Sequence, residues 1–382
     1  MKKKVVILER IFAIYRKPVF DLIGQKVELK VLHGRNNSGV ESISTGYSDN
    51  IPSFLYTRNE TNVLLFPLRK IRQFKPGIVI CDFALGILNL PFILLFCKLR
   101  KIKFVFWSHG FYRKKGFNPE KRLADKYRLF LLKAADANIV YGQVDKQVLG
   151  KYLNEEKIFV AQNTIDTSTF IEIRKKLAEE GRINIKKRLG INHAHNIVFI
   201  SRMLRAKKPE ILITIYEILK NKYGITAGVH LIGDGEMLPL MKSEVESKSY
   251  TDDFYFHGSV HDPVVNGALL FISDIMVIPG YLGLSVNHAF CFDCPVISFQ
   301  EKNGYPAHSP EVEYVINDKT GFLVEEHTPE AMAEAINKLL TNEVLKMEIK
   351  KNIREAIESR MTLEKMVSGV IDCVNYVTGE NK

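Results

Sequence analysis

Cysteine is scarce in this 382-residue chain and follows no pattern. Five thiols, at positions 81, 97, 291, 294 and 373, form neither an even set nor a framework spacing. That argues against a disulfide-stapled secreted scaffold and for reduced thiols in a cytoplasmic protein. Cys291-x-x-Cys294 has His288 one turn upstream, a possible redox or metal pair. No second pair or fourth ligand follows, so packing at a helix end is the simpler role and no metal is expected. Long apolar runs are also missing. The longest, Phe83 to Cys97, contains Asn89 and Pro91 and falls short of the ~20 residues a membrane span needs. The opening MKKKVVILER places basic residues before an apolar run that Glu9 and Arg10 end, which reads as a first strand and not a leader. The chain has no repeat, no low-complexity tract, no Walker sequence, no zinc spacing, and no G-x-S-x-G or H-E-x-x-H. No carboxylate spacing singles out a hydrolase.

What is present fits a soluble α/β protein of two domains, with an ordinary apolar fraction of 46%. The net charge of +11 is unevenly spread. Residues 1–190 carry 36 Lys and Arg against 17 Asp and Glu, whereas the remainder carries 18 against 26. Basic clusters stand at Lys98-Arg100-Lys101-Lys103, Arg113-Lys114-Lys115 and Lys121-Arg122. Such a field favours an anionic membrane surface, a phosphorylated lipid carrier or nucleic acid. A general solubility charge is the blander reading, and the acidic second half speaks against it. Aromatic residues do not interleave with the basic clusters as a stacking platform would require, so no nucleic-acid partner is expected.

Strand-like runs alternate with helical ones throughout, the pattern of parallel sheets covered by helices. In the first half the strands are Val5–Leu8, Leu29–Leu32, Ile78–Cys81, Phe104–Trp107, Ala137–Val140 and Ile158–Ala161, with helices such as Leu85–Cys97 and Pro119–Ala134. A polar segment, Ile171 to Gly190, precedes a second cycle: Asn196–Ile200, Val229–Ile232, Asp253–His257 and Asp274–Ile278. Thr328 caps a helix over Pro329–Leu340, and a last helix covers Leu363–Val377. The domains are then 1–190 and 191–360, each a doubly wound Rossmann-like unit, with 361–382 as a terminal helix returning to the first.

Pro279 to Ile297, PGYLGLSVNHAFCFDCPVI, is the richest segment. Gly280 and Gly283 permit a sharp turn. Leu284, Ser285 and Val286 then place free N–H groups at a helix start, where a phosphate is favoured. Arg202 and Lys207 follow the first strand of the second domain and suit an anionic ligand, Arg by a bidentate grip and Lys as a point charge. Gly233-Asp234-Gly235 ends a strand without completing a dinucleotide fingerprint. His109, in Trp107-Ser108-His109-Gly110, stands at a strand end of the first domain, where functional and structural roles weigh equally.

Together these elements resemble the retaining glycosyltransferases of family 4, which have the GT-B fold: two Rossmann-like doubly wound domains facing across a deep cleft. The resemblance covers nearly the whole chain. Ser201-Arg202-Met203 through Lys207 is similar to the family's G-R-L-x-x-x-K, whose Arg and Lys hold the donor diphosphate. Leu231–Gly235 resembles the I-G-x-G turn, and Phe256–Val260 the F-x-G-x-V stretch beside the nucleotide base. Asp274–Pro279 looks like the strand before the donor loop. Gly283-Leu284 with Cys294–Ile297 looks like the G-L and G-x-P-V-I elements. Gln162–Asp166 resembles P-N-G-V-D, and Thr320–Val324 the late T-G-F-L-V. The donor loop departs from the family in one respect. Its two Glu, eight residues apart, are Gly280 and His288 here. His288 keeps a hydrogen bond for the ribose, while the sugar contact passes to backbone groups or to Glu311 or Glu313. The first strand lacks the usual Gly-Gly loop and is followed instead by Glu9-Arg10 and Tyr15-Arg16, which places Arg10 and Arg16 on the acceptor side.

The resemblance implies a metal-independent, cofactor-free hexosyltransferase acting with retention on a nucleotide-diphosphate sugar. The acceptor would be a glycan or a lipid-linked glycan of cell-surface polysaccharide or lipopolysaccharide synthesis. Arg202, Lys207 and the Leu284 helix start would stabilise the leaving diphosphate, and His109 would orient the sugar. Domain closure would exclude water. The implied location is cytoplasmic, with peripheral attachment to the inner face of the plasma membrane left open. Three other readings remain: a weakened nucleotide-sugar-binding partner subunit, a sugar-nucleotide epimerase of the same fold, and a nucleic-acid binder that rests on charge alone.

Overall fold

The computed structural model describes residues 2–34, 44–51, 53–56, 61–84 and 86–380. Leu85, where the sequence starts a helix, lies outside them. The chain divides into two compact units, Met1–Asp166 with Leu363–Lys382, and Thr167–Thr362.

Short apolar runs between turns build the first unit's parallel sheet: β1 (Lys4–Glu9), β2 (Glu28–His33) and β3 (Ser48–Asn50). A separate antiparallel hairpin follows, β4 (Ser53–Tyr56) with β5 (Thr61–Leu64). The sheet continues with β6 (Ile78–Cys81), β7 (Lys103–Trp107), β8 (Ala137–Val140) and β9 (Ile158–Val160), in the order β3-β2-β1-β6-β7-β8-β9. Strand side chains alternate between faces, so both faces of these apolar runs are buried. Val5, Ile7, Ile78, Ile80, Val105 and Trp107 meet the helices Lys17–Lys26 and Leu363–Thr378 on one side. Val6, Leu8, Val79, Phe104 and Phe106 meet Leu68–Phe74, Leu90–Leu99 and Leu123–Ala134 on the other. The last helix of the chain is therefore part of the first unit's core, through Met366, Val370, Cys373 and Val374.

The second unit holds β10 (His195–Ile200), β11 (Ala227–Ile232), β12 (Phe254–Gly258), β13 (Ile275–Val277), β14 (Val296–Phe299) and β15 (Gly321–Val324). All pair in parallel in the order β12-β11-β10-β13-β14-β15 around one continuous core. Its helices start on designed stops. Thr328 Oγ1 accepts the Ala331 N–H at 3.2 Å with Pro329 at the first helical position, and Asp262 and Asn342 cap two more. In each unit the strand order reverses beside the first strand, at β1/β6 and at β10/β13. The carboxyl ends there form the crevice in which open α/β sheets bind ligands.

The polar segment before the expected domain boundary is helical. It forms two helices, Ser168–Glu180 and Arg182–Arg188, that pack on Pro263–Ile272. Each buries one apolar residue, Leu177 or Ile185, too few to give a periodic signal. Ion pairs onto buried carboxylates anchor them: Arg174 to Asp293 at 2.7 Å and Arg182 to Asp274 at 2.8 Å. The units accordingly part at Asp166 and not at 190. All five cysteines are buried free thiols. Among the described residues no helix is long and apolar enough to cross a membrane.

Because Met366 is fully buried in the first unit's core, Met366→Ala is expected to cost about 2–5 kcal/mol. Urea unfolding of the full chain checks this, and a cost below about 0.5 kcal/mol would mean that the last helix is not part of that core.

Candidate functional site

Three loops leave the carboxyl ends of β10, β11 and β13 and are joined through their backbones. The Met203 N–H donates to the Asp234 carbonyl at 2.8 Å, and the Met237 N–H to the Met203 carbonyl at 3.0 Å. On the other side the Gly280 N–H donates to the Lys207 carbonyl at 2.9 Å. A Cβ at Gly280 would stand 2.2 Å from the Ala206 carbonyl oxygen and 2.4 Å from Lys207 Cα. A Cβ at Gly233, where φ is +139°, would stand 2.0 Å from the Ser201 carbonyl oxygen. Neither position admits a side chain. The loops touch main chain to main chain, so Gly280 follows from the packing of the Arg205–Lys207 turn against it.

This packing places the cations. Arg202 is exposed just past β10. Lys207 is buried, its Nζ donating to the Tyr281 carbonyl at 2.6 Å and lying 3.5 Å from the centroid of the Tyr281 ring. Burial, and then the neighbouring Arg202 charge, push the Lys207 ammonium down to about 7 against the pull of Glu311. Glu311 is itself buried, on the short turn Pro310–Tyr314. Glu313, two residues on, is half-buried, and both carboxylates act on Tyr314, Glu311 the more strongly. Of the two carboxylates the sequence leaves open, Glu311 acts on the Lys207 charge.

The backbone of the loop after β13 is held by residues no motif marked. The Leu282 N–H donates to His308 Nδ1 at 2.9 Å, and His308 Nε2 lies 2.8 Å from the Phe299 carbonyl. That pattern fixes the imidazole as the neutral Nε2–H tautomer. The Ser309 N–H donates to the Leu282 carbonyl at 3.1 Å, and the buried Ser298 hydroxyl reaches the Ile278 and Gly280 carbonyls at 2.7 and 3.0 Å. Beyond this frame Gly283 leads into a seven-residue helix, Ser285–Cys291, with Leu284 at its cap. The Val286 and Asn287 N–H groups donate to the Gly283 and Leu284 carbonyls at 3.0 Å each, so Val286 is not among the free N–H groups that the sequence suggests here. His288 lies on that helix with its ring edge-on to Phe170 at 4.7 Å, and burial pushes it down to about 4, so it is neutral.

The first unit gathers a second polar cluster at the carboxyl ends of β1, β6, β7 and β8. Arg10 pairs with Asp82. The Arg16 guanidinium lies over both the Trp107 and Tyr141 rings, at 5.4 and 5.0 Å. Glu9, beside Arg16, is raised to about 7, by burial first and by Asp82 next among the raising influences. His109 stands edge-on to Tyr141 at 5.0 Å, and its Nδ1 lies 2.8 Å from Asp145 Oδ2. Asp145 is completely buried and also accepts from Arg113 at 2.8 Å. In the neutral ring that donates Nδ1–H to this carboxylate, Nε2 is an acceptor. Asp145 sits in an ordinary helix sequence, Gln143–Gly150, and nothing local distinguishes it. Among the described residues no group of three or more His, Cys, Asp or Glu is placed to hold a metal ion.

Residues 181–356 match the family described as "Glycosyl transferases group 1". Over 178 residues the chain is 26% identical to a poly(ribitol-phosphate) alpha-N-acetylglucosaminyltransferase of Staphylococcus aureus (strain COL). The match takes in 46% of this chain and 34% of that protein, so the chain spans about a third of this curated relative. The fold is similar to a glycosyltransferase from Rickettsia africae, with a TM-score of 0.71 at 15% identity over 99% of both chains. It is also similar to Anabaena HepE solved in complex with UDP, with a TM-score of 0.68 at 13% identity over 98% of this chain and 100% of that one. The two parallel-sheet units are thus those of the GT-B fold, and the residues matched by the glycosyl transferases group 1 family lie within the second.

Two outcomes follow from this geometry. A bound diphosphate restores the Lys207 charge, so binding should take up to about one proton between pH 7 and the lysine's ordinary value, and affinity should fall as pH rises through that window. Titration calorimetry of UDP in buffers of different ionisation enthalpy reads this; no proton uptake at pH 8 would remove Lys207 from the diphosphate. Asp145→Asn leaves the Arg113 cation without its buried counter-charge and should cost about 3 kcal/mol. It should also release His109 into mixed tautomers, and unchanged ring 15N shifts would show that Asp145 does not hold the ring.

Proposed function

We propose that this chain is a metal-independent hexosyltransferase that uses a nucleotide-diphosphate sugar and acts with retention. The observation that carries the reading is the joined loop frame at the second unit's switch point, with Arg202 and Lys207 on one side of Gly280 and Glu311 acting on the Lys207 charge. The bond broken joins the sugar's anomeric carbon to the diphosphate; the bond formed joins that carbon to an acceptor hydroxyl oxygen. Arg202 and Lys207 stabilise the negative charge that grows on the departing diphosphate, with the backbone N–H groups at Gly283, Leu284 and Ser285 adding to them. A phosphate oxygen of the leaving group takes the acceptor's proton. Glu311 takes the sugar-contacting role that no side chain at Gly280 could fill, His288 offers the ribose a neutral imidazole, and His109 accepts from a sugar hydroxyl.

UDP-N-acetylglucosamine is the first donor to test, given the Staphylococcus aureus relative and the UDP-bound Anabaena neighbour. Arg10, Arg16 and the basic first unit favour an anionic acceptor, a phosphate-bearing or lipid-linked glycan at an anionic membrane surface. Such an acceptor places the protein at the cytoplasmic face, in cell-surface polysaccharide synthesis. The second reading, a nucleotide-sugar-binding partner subunit without turnover, draws on the same Gly280, where the carboxylate of related enzymes has no room.

The test is a thermal-shift screen against UDP, GDP, ADP and dTDP and their sugars, followed by product analysis with the best donor. Arg202→Ala should lower kcat/KM by about 10²–10³-fold with little change in stability. Unchanged turnover in that variant would overturn the diphosphate assignment. Binding without turnover on any donor would favour the partner-subunit reading.

A further inference from the structure

Two neighbouring helices of the first unit present apolar stripes to solvent. Helix Leu90–Leu99 buries Leu90, Ile93, Leu94 and Cys97 under the sheet. On its other face Phe92 is 66% exposed, Leu95 52% and Leu99 76%, and Leu88 just before the helix is 59% exposed. Positions 88, 92, 95 and 99 recur at helical spacing. Helix Leu123–Ala134 repeats the arrangement: Leu131 and Leu132 enter the same core layer, while Leu123 is 85%, Tyr127 43% and Phe130 66% exposed. The two helices are the successive crossovers β6–β7 and β7–β8 and cover the same face of the sheet, so the stripes share one solvent side. Single exposed apolar side chains are common; two such stripes side by side are not.

The charges around them have one sign. Lys98, Arg100, Lys101, Lys121, Lys126 and Lys133 are exposed. Between residues 98 and 133 the exposed acid among the described residues is Glu120, and Asp125 is buried in pairs with Arg122 and Arg128. A second copy of this face would set cations against cations.

We propose that this face docks on an anionic lipid bilayer. Phe92, Leu95, Leu99, Leu123 and Phe130 enter the boundary between headgroups and acyl chains, Tyr127 keeps its hydroxyl among the headgroups, and the lysines reach the lipid phosphates. The inference deepens the membrane-surface part of the proposed function and does not depend on sugar transfer.

Flotation of the full chain with phosphatidylcholine vesicles, with and without phosphatidylglycerol, tests it with neither donor nor acceptor present. A failed transfer assay therefore leaves this result standing, and a failed flotation leaves the transferase reading standing. Binding is expected on the phosphatidylglycerol vesicles and should weaken as salt rises. Leu95→Ser with Leu99→Ser and Phe130→Ser should lower partitioning at least tenfold at an unchanged thermal transition; if that triple variant fails to fold, Phe92→Ser alone serves, with a smaller loss. Lys98→Gln with Lys101→Gln and Lys126→Gln should abolish the preference for the anionic vesicles. No binding by the unaltered chain, equal binding by the serine variant, or a solution dimer that the serine variant dissolves would each overturn the proposal, the last by showing that a second copy covers the face.

Discussion

The hydrogen bond from the Gly280 N–H to the Lys207 carbonyl fixes most of what surrounds it. It holds the loop after β13 against the turn after β10 at a separation that no Cβ could tolerate. From that contact Tyr281 is set under the Lys207 ammonium, Leu282 meets His308 and Ser309, and the chain reaches the helix start at Leu284. Each bond in this series is ordinary, worth about 1 kcal/mol net. Their effect is to leave little conformational freedom in the loop, so that a ligand arriving there would meet a frame already formed.

The parallel strands were largely legible, because strands buried on both faces read as short, continuous apolar runs. Val5–Leu8, Ile78–Cys81 and Ala137–Val140 carry that signature and fall within β1, β6 and β8. The polar helices at 168–188 were not legible, since their hold on the second unit comes from Arg174 and Arg182 meeting acids about a hundred residues away. Among the candidate residues, Arg202 and Gly233 in the second unit and His109 in the first could be located at strand ends, where open α/β sheets bind ligands. His308 and Asp145 could not. Both act through one long-range hydrogen-bonding pattern, and neither stands in a spacing that a chain read in order would reveal.

The two units apply the same topology to different electrostatic ends. In the second unit's crevice the glycines let the loop backbones meet, and the cations have fewer charged partners, Lys207 being partly discharged by burial. The first unit's crevice is filled with paired charges: Arg10 on Asp82, Arg16 between aromatic rings, and Asp145 shared by His109 and Arg113. A ligand entering the first must exchange existing ion pairs, which favours selectivity over affinity. An anionic ligand entering the second would restore the Lys207 charge without breaking an ion pair, which favours affinity.

Trp107 is the chain's single tryptophan, and it lies buried in the first unit with Arg16 over its ring. Indole emission from this protein is therefore a local signal. It reports the first unit's core and the cation resting on it, while events in the second unit reach it only if they alter the first. The molecule carries a built-in optical label on one half, and a difference between its fluorescence and its circular dichroism on unfolding would measure how far the two halves act as one.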